Sequence, residues 1–279
     1  MLARIVNRQI LAGLLLGGVA LALPITTSFP AAAQAQAPTA SAPGPQGSSQ
    51  TAVASDVVTV LERMGKTLAA NHFSFKARTI RSYAGPNGEL LHVEHMIKTT
   101  LRRPDRLAVE VTGDDGATKL FYDGKTVTLV GHDPKQYSQA EAPNTISNLI
   151  DFLIDSLDAD MPLADLLVDS PSGALLSDIV SGGQVGTATI DGTKVKHFFF
   201  NQLPDVDLEL WLEDSERAVP RRVYIVYRSL PGRPNFVADL SEWDFSTPPA
   251  DNLFVFQPPA GATKVELKPR GAATPASTR

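Results

Sequence analysis

Cysteine is absent from all 279 residues. That excludes disulfides, thiolate metal ligands and thiol nucleophiles, and it rules out acylation of an N-terminal cysteine. Histidine is scarce, with five in the chain. The best local group is His92-Val93-Glu94-His95. On a strand, His92 and Glu94 share one face while His95 points away, whereas zinc-binding H-E-x-x-H needs helical spacing. Positive charge is also short: 25 Lys and Arg against 30 Asp and Glu give a net charge of −5. Phosphate binding rests on clustered cations, so a nucleic-acid partner is not expected. There is no G-x-S-x-G elbow, and the pattern converges no Ser, His and Asp. Gly182-Gly183-Gln184-Val185-Gly186 runs into a strand, whereas phosphate loops open a helix. Asp205-Val206-Asp207 follows Leu203-Pro204 and reads as a turn residue plus an outward-facing charge. No catalytic residue, metal or cofactor is expected.

Long apolar runs are missing too, apart from one near the start. Residues 1–33 carry Arg4 and Arg8, an apolar run from Ile10 to Leu23, and small residues ending in Ala31-Ala32-Ala33. This order describes a secretory signal peptide cut near Ala33, and the run is shorter than the roughly 20 residues of a membrane span. With the signal removed, no transmembrane segment is expected. Residues 34–54 are Pro, Gly, Ser, Gln and Ala without apolar periodicity, the composition of a flexible tether. The tail 268–279 has the same character. Residues 55–267 remain, enough for one β-rich domain with a sizeable core.

Within that span, period-two alternation dominates. Val185–Phe245 reads as a run of neighbouring antiparallel strands with one dry face. Val206, Leu208, Leu210 and Leu212 share one side of their strand, opposite Asp207, Glu209, Trp211 and Glu213. Asp191-Gly192 is a type I′ turn signal. Upstream, strands are expected over Phe73–Tyr83, Leu90–Arg103, Leu107–Val111, Lys119–Tyr122, Thr126–Val130 and Lys135–Ala140, and a last one over Leu253–Phe256. Two stretches change to helical spacing. Ser55 is placed to cap a helix to about Asn71, with Val57, Val60 or Leu61, Met64 and Leu68 as its stripe. An insert over 144–180 begins with Asn144 as cap and carries Ile146, Leu149, Ile150, Leu153, Ile154 and Leu157 on one side. Two shorter helical pieces follow, Pro162–Val168 and Pro171–Ile179, and Gly182-Gly183 is expected to end the insert. Trp211 and Trp243 fall on wet strand faces, and Phe198-Phe199-Phe200 suggests a central strand covered on both sides. The fold class expected is α+β: about ten or eleven strands in a strongly curved antiparallel sheet wrapped around helices.

The motifs RRPDRLAVEV, TKLFYDGKTVTLV and DPKQYSQ, with WLEDSERAVPRRVYIVY and the exit FVFQPPAGATKVEL, resemble a family of predicted periplasmic proteins of unknown function. That family in turn is similar to the LolA/LolB-type superfamily of lipoprotein and lipid carriers. The resemblance implies an unclosed half-barrel around helices, a periplasmic address, and an apolar cavity that receives acyl chains. The missing lipidated Cys implies the soluble, shuttle-like type.

A carrier or binding protein for an apolar moiety needs a smooth concavity free of fixed hydrogen bonds. Its expected wall is Val109, Val111, Leu208, Leu210, Leu212, Val223, Ile225 and Tyr227, with Leu149, Leu153 and Leu157 as lid or plug. The expected partner is a lipid or lipoprotein acyl chain. The alternative is an envelope protein-interaction module whose core is filled by its own helices.

Overall fold

A computed structural model describes residues 53–85 and 87–267. The signal, nearly all of the tether and the tail expected above lie outside the described residues. Among these residues, twelve strands form a single sheet. In chain order they are β1 (His72–Ala84), β2 (Leu90–Arg102), β3 (Arg106–Gly113), β4 (Gly116–Tyr122), β5 (Thr126–Val130), β6 (Gln136–Glu141), β7 (Ile179–Ile190), β8 (Thr193–Gln202), β9 (Val206–Glu213), β10 (Pro220–Tyr227), β11 (Asn235–Asp244) and β12 (Thr263–Val265). Their order across the sheet is β12-β6-β5-β4-β3-β2-β1-β11-β10-β9-β8-β7. Apart from β12, which pairs with β6, each half is thus a run of successive antiparallel strands, and β1 joins the halves by pairing with both β2 and β11. The sheet is strongly curved and unclosed, with β7 and β12 as its two edges.

Three helices cover the inner face: α1 (Ser55–Leu68), α2 (Ile146–Leu157) and α3 (Pro171–Leu176). In α1 the buried stripe is Val57, Val60, Leu61, Met64 and Leu68, a contiguous face at 3.6-residue spacing. Gly65 sits where α1 meets α3. A Cβ there would lie 2.4 Å from Ser172 Oγ, so only a glycine allows this approach. Arg103 pins the helices to the sheet's end, because its guanidinium donates to the carbonyls of Leu68, Leu167 and Val168.

Several expectations need correction. The cap of α1 is Ala54, and the carbonyl of Ser55 instead accepts from Thr59 Oγ1. Thr145, not Asn144, caps α2, its hydroxyl accepting from the Asn148 amide at 3.2 Å. Pro162–Val168 holds only a 3₁₀ turn at Ala164–Leu166, and α3 stops at Leu176. Gly182-Gly183 do not end the insert. They lie inside β7, which begins at Ile179, where a Cβ on Gly182 would meet the Phe199 carbonyl at 2.5 Å. Leu253–Phe256 is not a strand: a 3₁₀ turn spans Asp251–Phe254. Its alternation arises because Phe254 is buried and Phe256 packs on Phe121 and Tyr137, leaving Leu253 and Val255 outside. The last strand is β12, paired in parallel with β6.

Two aromatic placements also differ. β8 lies next to the edge strand, with Phe198 and Phe200 buried and Phe199 half-buried on the outer face, so it is covered on one side only. Trp243 is inside, stacked on Phe75 at 4.6 Å between centroids, with its indole N–H donating to the Pro220 carbonyl. A bulge causes the change: the β1–β11 register slips between Ser74 and Lys76, and Glu242 adopts φ 51°. One extra residue reverses which face the next side chain takes.

Candidate functional site

The inner face has two unlike halves. Under β8–β11 the space is occupied. Leu208, Leu210, Leu212, Val223, Ile225 and Tyr227 are each 3% exposed or less and belong to one continuous core with the stripes of α1 and α2. The alternation in β9 therefore serves packing, with Val206 joining Leu208, Leu210 and Leu212 inside.

Under β2–β5 one end is packed, with Leu101, Leu107, Tyr122 and Val127 buried in the core beside Ile146, Leu149 and Ile150, but farther along the strands the sheet and the helices part. A cavity of about 500 Å³ remains. Its floor comes from Ile97 and Thr99 of β2, Val109 and Val111 of β3, Leu120 of β4 and Leu129 of β5. These residues meet because register places them side by side: Val109 pairs with Thr99 and Leu120, and Leu120 pairs with Leu129. The roof is Leu153 and Leu157 of α2, continued by Met161, Pro162 and Leu163. Phe75 and Phe236 close the inner end, and Leu267, just past β12, stands at the rim.

Of the residues singled out from sequence, the structure brings Val109, Val111, Leu153 and Leu157 together around this cavity. Leu208, Leu210, Leu212, Val223, Ile225, Tyr227 and Leu149 lie in the packed core and not in the cavity lining. Ile97, Leu120, Leu129 and Met161 were not singled out. The strands of the first three are legible, but nothing in a period-two pattern says which strand faces a void, and Met161 lies between helical elements.

Besides Thr99, Thr118 and Lys119, an ion pair borders the apolar lining. Asp160, in the turn after α2, reaches the cavity and accepts from Arg81 Nη1 at 2.8 Å. Arg81 is 6% exposed on the inner face of β1 and lies over the ring of Tyr227 at 5.4 Å. Burial works against its charge, yet Asp160 together with Tyr227 and Tyr83 holds the guanidinium above its ordinary value. Tyr227 Oη is buried without a hydrogen-bond partner, and burial pushes the phenol up to about 12 even beside Arg81. Arg81 thus offsets the Asp160 charge, while Lys119, the other charged lining residue, lies 3.6 Å from Glu110.

The chemistry-bearing residues noted from sequence are engaged elsewhere. Glu94 pairs with Arg78 across the outer face at 2.6 Å, which holds the carboxyl below its usual range. His95 meets Asp115 at 2.7 Å. Asp207 accepts from Asn201 at 2.7 Å and pairs with Arg228 at 3.3 Å. Among the described residues, no three His, Asp or Glu converge as a metal site.

Residues 58–268 match the model of a family described as "Predicted periplasmic protein (DUF2092)". The chain belongs to this family. Its compartment is the periplasm, and no helix among the described residues is long and apolar enough to cross a membrane. No curated protein matches the sequence. Among solved structures, this family member is similar to MucB in the Pseudomonas aeruginosa MucA/MucB complex, at 18% identity and TM-score 0.42. The likeness covers 76% of this chain and 64% of that one, less than two thirds of its length. It is also similar to the Mycobacterium tuberculosis lipoprotein LppX, at 12% identity and TM-score 0.42 over 70% of this chain and 99% of that one. A LolA superfamily protein from Nitrosomonas europaea matches at 12% identity and TM-score 0.33, over 74% of this chain and 99% of that one. At these scores the likenesses say nothing of what this chain binds.

Proposed function

We propose that this protein is a periplasmic, non-catalytic carrier or binding protein for an apolar moiety, a lipid or a lipoprotein acyl chain. The carrying observation is the cavity of about 500 Å³ between β2–β5 and α2, which the protein's own side chains leave open. Its size falls in the roughly 300–1,000 Å³ range of ligand pockets. Its walls are mainly Val, Leu, Ile, Met and Phe, with Thr99, Thr118, Lys119 and Asp160 as the polar members. Each methylene moved from water into such walls is worth about 0.8 kcal/mol. A bilayer offers nearly the same, so a cavity without strong fixed hydrogen bonds can exchange its cargo with a membrane. The same reading takes residues 1–33 as a cleaved signal and 34–54 as a tether. An interaction module with a wholly self-filled core is disfavoured by the unfilled half.

The test is occupancy against a blocked cavity. Protein purified from its native envelope should release lipid on organic extraction, seen by mass spectrometry at about one chain per protein. Val111→Trp, which projects an indole into the void, should abolish that lipid and the binding of an apolar fluorophore while the circular dichroism spectrum stays native. Equal lipid in wild type and Val111→Trp would sink the carrier reading.

A further inference from the structure

The two edges of the sheet are built differently, and one carries the usual safeguards. β12 is three residues long, contains Lys264, and follows the Pro258-Pro259 pair. Such an edge resists pairing with a further strand. β7 is twelve residues long, and Ile179–Ile190 contains no charged residue and no proline. Among the described residues its outer edge meets only Val53, in one bridge to Gly182. From Gly183 onward, no described residue pairs with that edge.

β7 has one protective device, a pair of register slips against β8 between Ile179 and Ser181 and between Gln184 and Gly186. Past the second slip, Gly186–Ile190 runs in unbroken register with β8 to the hairpin turn. That turn is Asp191-Gly192, both at positive φ, which makes Ile190 and Thr193 a hydrogen-bonded pair. By alternation, the amides and carbonyls of Thr187 and Thr189 then point away from the sheet. Gln184, Val185, Thr187, Ala188 and Thr189 are all exposed, Val185 at 61%. The strand's end is therefore β-prone, uncharged, and unpaired on one side.

We propose that β7 pairs with β7 of a second copy, antiparallel about a two-fold axis near Thr187, making one sheet continuous across two molecules. Self-pairing fits because it needs one surface that complements itself. An uncharged strand sets no like charges opposite one another. With Thr187 opposite its counterpart, the flanking Asp191 faces Gly183 of the mate, so the carboxylates at the turns stay apart. The pairing leaves the cavity half, at the other side of the sheet, untouched.

The test is the mass of the full chain in solution by light scattering across a dilution series, for wild type and for Thr187→Glu/Thr189→Glu. In the monomer the new carboxylates face Lys196 and Lys194 of β8, their register partners, so folding is preserved. Across the two-fold, glutamates from the two copies confront each other in any register centred between 187 and 189. Wild type should show twice the mass of one chain, falling twofold in the variant with an unchanged melting temperature. A wild-type monomer at the highest soluble concentration overturns the proposal, whether the β7 amides exchange freely or are protected by another segment of the same chain. A dimer that persists in the variant overturns it too.

Discussion

One sheet carries two inner halves made of similar side chains, and only one of them is solid. Beneath β8–β11, Leu and Val meet the stripe of α1 and the short α3, which Gln202 fastens through its amide to the Leu175 carbonyl at 3.1 Å. Beneath β2–β5 the cover is a single amphipathic helix and the extended turn Ala159–Leu163, and about 500 Å³ stays open. The contrast shows that an apolar strand face is only half of an instruction. Whether it becomes core or pocket depends on how much volume the covering segment supplies.

The sharpest way to break this comparison is to truncate one residue in each half. Leu210→Ala in the solid half should cost about 2–5 kcal/mol and lower the melting temperature, because the lost contacts leave a new cavity. Val111→Ala in the open half should cost about 1 kcal/mol or less, since its side chain already lacks neighbours on one side. Equal losses in thermal denaturation would mean that the void is closed in solution.

At the seam between the halves, Tyr227 gives a pH-dependent probe. Its phenol titrates near 12 in the folded state against 10 in the ordinary range. The folded protein therefore holds that proton more tightly. The stabilisation is fully present below pH 10 and is lost as pH rises through 12, amounting to about 3 kcal/mol. Tyr227→Phe should remove this alkaline loss, seen as a flatter denaturation midpoint from pH 10 upward relative to wild type. At neutral pH it should cost little, because Oη has no hydrogen bond to lose.

A smaller effect tests how tightly the solid half is packed. Gly65→Ala would ordinarily stabilise a helix by about 1 kcal/mol. Here the added Cβ meets Ser172 Oγ at 2.4 Å and Ser172 Cβ at 2.6 Å. A net loss of about 1 kcal/mol is expected, as overpacking outweighs propensity. Ser172→Gly in the same chain should restore it, and a stabilising Gly65→Ala would show that α1 and α3 move apart easily.

Most strands could be located from the sequence because alternation is local: β9 and its inward Val206, Leu208, Leu210 and Leu212 are as the spacing implies. The misses are non-local. Trp243 turned inward because a bulge at Glu242 shifted its register against β1, a partner about 170 residues away in sequence, a separation that no short-range pattern reports. β12 was hidden because three residues pair in parallel with a strand far upstream. Arg81 reads as one more polar residue of an alternating strand, yet it is buried because Asp160 and Tyr227 come to it from other elements.

By itself, then, the sequence determined an all-antiparallel run of strands on either side of a helical insert, a chain without thiols, and the apolar face that had to be covered. Periodicity and turn chemistry act over a few residues and need no partner to be read. Only the tertiary structure decided which part of that face is filled. Volume left between layers depends on side chains from distant segments meeting at one place, and the gap between β2–β5 and α2 exists only once both are folded.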